Sequence, residues 1–213
     1  MSEARLILAS RSKARLAMLS AIDLEVEAIP ADIDETSIIA EFGNQLEASL
    51  TANALQIAKS CALMLASEKA LAVVPSITHE ANAPYVIGSD QILLFEGKLH
   101  EAARIPAQLL SALMSFAGKK HHLVSAAVLY QGSKPIWKGV ETAQIHMRPL
   151  EPAALRRYVD RYWDDVQGAV GGYHAETSGP LIIQEMKGDP FVIQGLPLLP
   201  LVEALIDHGV LKL

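Results

Sequence analysis

The run from Tyr85 to Phe95, YVIGSDQILLF, constrains this chain more than any other feature. It is apolar on both sides of a single polar insert, Ser89-Asp90-Gln91. Burying a carboxylate in such a run is costly unless a partner neutralises it. The pattern predicts a short strand, Tyr85–Gly88, that delivers Asp90 at its end, with Ile92–Phe95 as a second apolar piece. Carboxylates at strand ends are where open α/β sheets build their sites.

The flanking sequence supports that class. Arg5–Ala9 reads as a buried strand, Ser10-Arg11-Ser12 as a turn with N-cap chemistry, and Ala14–Leu19 as a helix of about two turns. Leu24–Ile29 alternates acidic and apolar residues, as a half-exposed strand does. It runs into Asp32-Ile33-Asp34-Glu35, an acidic stretch at a strand end. Leu46 to about Val73 has helical, alanine-rich periodicity, and Pro75–Pro84 is a polar connection with two prolines. Residues 101–116 and 151–162 also read as helices. His121–Tyr130 and Ile136–Met147 form a hairpin pattern. The glycine-rich stretch 168–179 precedes a strand at Leu181–Ile183, and a helix closes the chain over 201–211. Strands and helices interleave without a repeat or linker, so one α/β domain over residues 1–213, with a mixed sheet, is expected.

Charge narrows the function. The net charge of -6 argues against a protein that coats nucleic acid, which needs clustered Lys and Arg. It leaves room for a small phosphorylated ligand held by a few converging cations. Cys61 is the single cysteine, so no internal disulfide forms, and a core position suits it. The N-terminus lacks a sustained signal-peptide apolar region, and no stretch approaches a membrane span. A soluble, cytoplasmic protein is expected.

Three sets of residues could carry chemistry. Ser10 and Ser12 sit at a strand-to-helix turn, with Lys13 and Arg15 beside them. Backbone N–H groups and hydroxyls there suit phosphate, and Arg adds a fork of donors; the plainer alternative is a capped helix with solvated basic residues. No G-x-x-x-x-G-K-[ST] loop is present. Asp32, Asp34, Glu35 and Asp90 supply carboxylates for a hard cation, which takes one or two of them and completes its shell with water and phosphate. Lys59, Lys98 and Lys119 are the third set. The last two follow Gly97 and Gly118, where close backbone approach could bring an ammonium to a triphosphate.

Seven segments in chain order resemble the motifs of the Maf family: LILASRSKARLAML, ADIDET, NALQIAKS, VIGSDQIL, EGKLHEA, AGKKHHLVSAAVL and GDPFVIQGLPLLPLVEAL. The resemblance implies an α/β fold of Maf and ITPase-like type, a long mixed β-sheet flanked by helices with two lobes around a central cleft. It implies hydrolysis of a nucleoside triphosphate to monophosphate and pyrophosphate with a divalent cation, magnesium or manganese, and a homodimer. It assigns Asp90 as general base or metal ligand, Glu35 to the metal and phosphate site, and Ser10, Ser12, Arg15, Lys59, Lys98 and Lys119 to phosphate.

Three positions bear on the base. Gln91 and Glu176 resemble the 7-methyl-GTP pyrophosphatase branch, and a carboxylate suits the donors of guanine and a cationic methylated ring. Ala14 departs from that branch, which carries tryptophan there, and a cation–π contact of roughly 0.5 to 2 kcal/mol is lost with it. Trp137 and Trp163 are the side chains able to replace that ring. The alternatives are a dTTP or UTP pyrophosphatase of the same family and a nucleotide-binding regulator without turnover.

Overall fold

The computed structural model describes residues 5–48, 53–76 and 83–212. Among the described residues, seven strands form one mixed sheet in the order β2-β1-β3-β5-β6-β7, with β4 paired to β3 outside that path. The strands are β1 (Leu6–Ala9), β2 (Val26–Ala28), β3 (Tyr85–Phe95), β4 (Lys98–His100), β5 (Lys120–Gln131), β6 (Lys134–Met147) and β7 (Ile183–Lys187). The described helices that flank it are α1 (Lys13–Ser20), α2 (Glu35–Ala48), α3 (Ala54–Val73), α4 (Pro106–Phe116), α5 (Pro152–Val166), α6 (Pro190–Ile193) and α7 (Leu198–Asp207). None of the described helices is long and apolar enough to cross a membrane.

The two apolar pieces expected around Asp90 are one continuous strand. β3 pairs along one edge with β5, from Tyr85–Gln131 to Leu94–His122. Its other edge changes partner midway. Parallel β1 covers it up to the Ala9–Gly88 pair, and antiparallel β4 takes over only at Leu93–His100. Ser89–Ile92 therefore have no neighbouring strand on that side, and the sheet carries a notch there. The β3–β4 hairpin closes on Glu96-Gly97, both at positive φ, as a two-residue hairpin turn requires.

Alternation along β3 sends side chains to two cores. Val86, Ile92 and Leu94 face α3, with Phe42, Leu46, Cys61 and Leu65. Ile87 joins Leu8, Leu19 and Leu201 on the opposite face, and Leu93 and Phe95 join Leu113, Phe116 and Ile145. Each fully buried Leu or Ile in these layers contributes about 1.5–3 kcal/mol.

Several boundaries differ from the sequence expectation. The acidic stretch at the strand end runs directly into a helix, because α2 begins at Glu35. Asp34 starts it, accepting from the backbone N of Ser37 at 3.0 Å and its hydroxyl at 2.6 Å, and these bonds hold the Asp34 carboxyl below its usual pKa. Of the helix expected over Leu46–Val73, α3 covers Ala54–Val73 and residues 46–48 end α2, while residues 49–52 fall outside the described residues. Residues 101–105 are not helical, and the last strand lies at Ile183–Lys187 because Gly179–Leu181 forms a 3-10 turn. Residues 77–82 of the expected proline-containing connection fall outside the described residues.

Candidate active site

The notch in β3 opens into a cleft of about 880 Å³, a volume suited to a nucleotide-sized ligand. Its floor starts with the turn after β1. Ser12 caps α1 by accepting from the backbone N of Arg15 at 3.3 Å, and its own N–H donates to Ser10 Oγ at 3.1 Å. Arg15, one turn into α1, is 8% exposed. Its Nε donates to Gly195 O (2.8 Å) and its Nη1 to Ser89 O (3.0 Å) and Ser10 Oγ (3.2 Å). The guanidinium thus occupies the vacant edge of β3 and satisfies a carbonyl that a strand would otherwise bond. Burial lowers the Arg15 pKa, and the carboxylates of Asp90 and Glu35 oppose that shift.

Asp90 is 7% exposed. Its Oδ1 lies 3.7 Å from Arg15 Nη2 and 3.2 Å from Lys69 Nζ, and accepts from the backbone N of Gln91 at 2.9 Å. Arg15 approaches from the α1 side of the sheet and Lys69 from the α3 side, meeting across the notch. Lys69 Nζ also bridges to Glu35 Oε1 at 2.9 Å. The floor is thus a connected chain of alternating charge: Arg15, Asp90, Lys69, Glu35. Asp90 and the Ser10–Arg15 turn share one cleft, the geometry on which the expected chemistry depends.

Lys69 was not among the expected residues, and it replaces Lys59. Lys59 stands ten residues earlier on α3, about 15 Å along the axis, and does not line the cleft. The signal was the phase of the helix. The buried stripe runs Ala58, Cys61, Ala62, Leu65, Ala66, Lys69, Ala70, Val73, and Lys69 is the charged residue on it. Gly88 lets this stripe of small residues press against β3, since a Cβ there would strike the carbonyl oxygen of Ala66. That close approach brings Lys69 to Asp90.

Lys98 and Lys119 also lie outside the cleft lining. Lys98 pairs with Phe95, five residues and about 16 Å along β3 from Asp90. Lys119 is at the same end, bonded to Glu96 at 2.9 Å with its ammonium over the Phe95 ring. The cations that do line the cleft are Arg11, Lys13, Arg15, Lys69 and Arg104. Among the acidic trio, Glu35 and Asp34 line it and Asp32 does not.

Ala14, Gln91 and Glu176 all line the cleft. Gln91 is on the face of β3 opposite Asp90. Its Nε2 is committed to Ser125 Oγ (3.1 Å), Val192 O (3.0 Å) and Ile193 O (3.1 Å), which ties β3 to α6 and leaves the amide oxygen for a ligand. Glu176 is exposed at the rim, where Asp164 and Asp165 from the end of α5 also line the opening. Neither tryptophan replaces the missing ring. Trp137 lines a separate hollow beside Tyr130 and Ile136, and Trp163 packs with the α4–α5 core. Tyr173 is the aromatic of the cleft wall, held through its hydroxyl by His121 Nε2 at 2.6 Å. Burial, with His122 and His100 nearby, pushes the His121 pKa down to about 3, so His121 is neutral. Cys61, its pKa pushed up to about 12 by burial, is inert in the core.

Known proteins resemble this chain over nearly its whole length. Residues 5–208 match the family described as Maf-like protein. A nucleoside triphosphate pyrophosphatase 1 from Jannaschia sp. is 36% identical, covering 96% of this chain and 97% of its own length. A nucleoside triphosphate pyrophosphatase from Granulibacter bethesdensis is 35% identical over 97% of this chain and 98% of its own. A 7-methyl-GTP pyrophosphatase from Mesorhizobium japonicum is 35% identical over 96% of each. A match that runs from the first strand to the last helix leaves no element of the fold outside it, and the chain belongs to the Maf-like protein family.

Proposed function

We propose that this chain hydrolyses a nucleoside triphosphate to its monophosphate and pyrophosphate. The observation that carries the reading is the convergence of Arg15 and Lys69 on Asp90 inside a cleft with a serine-lined turn. The activity named for its relatives supports it. In this reading Asp90 orients the attacking water and takes its proton. The water oxygen bonds to the α-phosphorus as the bond to the bridging oxygen of the departing pyrophosphate breaks. Negative charge grows on the leaving side, and cations preorganised in a dry site are the largest contribution such a site can make. Ser10, Ser12 and the free N–H groups of the α1 start receive phosphate oxygens.

A divalent cation, magnesium or manganese, fits the donors present. Such an ion needs one or two carboxylates, with water and phosphate supplying the rest. Lys69 already draws Glu35 and Asp90 together, and these two would hold it. Once bound, the ion polarises a phosphoryl oxygen and acidifies water.

The base is read at the rim. Glu176, with Asp164 and Asp165 nearby, makes that end of the cleft acidic, which favours a guanine made cationic by methylation, as in 7-methyl-GTP. Ala14 supplies no ring, and Tyr173 is 6% exposed, so the acidic rim carries the recognition of the base. A cytoplasmic homodimer is the setting that the family resemblance implies.

Pyrophosphate release with magnesium or manganese, measured on 7-methyl-GTP, GTP, dTTP and UTP, tests the activity. Turnover on at least one is expected, with 7-methyl-GTP fastest, and Asp90→Asn should lower it about 10³-fold. A nucleotide that raises the melting temperature without any release of pyrophosphate would make the chain a binding module instead.

A further inference from the structure

The cations of the cleft are not equivalent. Arg15 is committed to three protein oxygens and Lys69 to two carboxylates. Arg104 stands on the wall made by α2 and the segment after β4, and its side chain is 72% exposed. Its Nη2 donates to Thr36 Oγ1 at 3.0 Å and lies 3.5 Å from Glu101 Oε2, an exposed pair three residues apart. Such a pair is weak. Its backbone, in contrast, is fixed, because the Arg104 N–H donates to Gln108 Oε1 at 2.9 Å in the first turn of α4.

We propose that Arg104 is the clamp for the leaving pyrophosphate, exchanging Glu101 for phosphate oxygens when a triphosphate enters. The inference rests on the pyrophosphatase reading and adds the residue that holds the distal phosphates. Thr36 places it, since Thr36 follows Glu35, whose carboxylate joins the Lys69–Asp90 floor. An exposed guanidinium on an anchored backbone reorients at little cost, and its planar fork matches two phosphate oxygens at once. Glu101 keeps it near the opening in the absence of ligand and competes with the substrate for it. Lys98 and Lys119 cannot serve, being at the far end of β3.

Titration calorimetry on the full chain, with magnesium pyrophosphate and separately with the nucleoside monophosphate product, tests this without requiring turnover. Arg104→Gln should weaken pyrophosphate about tenfold, leave the monophosphate unchanged, and lower kcat/KM on the triphosphate by a similar factor. Arg104→Lys should recover part of the loss. Glu101→Gln, which removes the competitor, should tighten pyrophosphate by about threefold. Unchanged pyrophosphate affinity in Arg104→Gln overturns the clamp, and so does an equal loss of both products, which would mark a structural residue. Wild-type protein that hydrolyses no triphosphate but binds pyrophosphate through Arg104 breaks the activity reading and keeps the clamp.

Discussion

At the floor of the cleft, Arg15, Lys69 and Asp90 are each more than nine-tenths buried and bound to protein on several sides. At the rim, Arg104 and Glu176 are exposed, and Arg104 rests on one hydroxyl and one weak ion pair. The same residue types do different work in the two places. Buried charges must be matched by partners, and removing one leaves the others uncompensated, so the floor is fixed in geometry and intolerant of change. Exposed charges cost little to reorient and little to replace, so the rim can adapt to the ligand. In the proposed reading, chemistry belongs to the first region and recognition of the base and the leaving group to the second.

Three substitutions, with Lys59→Met as a control, probe that division, the three in order of expected effect. Lys69→Met removes a buried cation from the floor, and steady-state pyrophosphate release should fall about 100-fold. Lys59→Met, on the same helix but off the buried stripe, should stay within about twofold of wild type. Equal losses in the two variants would erase the distinction between floor and surface. Gly88→Ala forces a methyl group against Ala66 O and pushes α3 off β3. Overpacking of this kind costs about 1–3 kcal/mol, read from urea denaturation, and Lys69 loses its reach to Asp90, so activity should fall with stability. Glu176→Gln is the mildest. It should lower the preference for 7-methyl-GTP over GTP, measured as the ratio of kcat/KM values, about threefold with stability unchanged. A large loss of stability there would mean that the rim is as tightly built as the floor.

The sequence made part of the floor legible and little of its closure. Ser10, Ser12, Arg15 and Asp90 announce themselves locally, through a strand, a polar turn and a helix start, or through a carboxylate in an apolar run. Lys69 gave no local signal. Motif wording favoured Lys59, while the information was in helical phase, which becomes decisive only once α3 is known to lie on β3 at Gly88. The start of α2 was hidden because Asp34 and Glu35 read together as an acidic stretch after a strand, although one caps the helix and the other faces the cleft. Lys98 and Lys119 looked suitable beside glycines, but β3 is continuous through Asp90 and carries them to its far end. Arg104 lies in the irregular segment before α4, where periodicity says nothing about direction.

The change of neighbour along β3 also limits how the chain can vary. β1 stops at Ala9 and β4 begins pairing at Leu93, so the uncovered stretch between them is set by the lengths of two short strands. Extending either by a couple of residues would add ladder hydrogen bonds and make a more regular sheet. It would also fill the gap through which Arg15 and Lys69 meet. Backbone pairing and active-site access therefore compete for the same four residues, and a lineage selected only for a sturdier sheet would seal its own catalytic entrance.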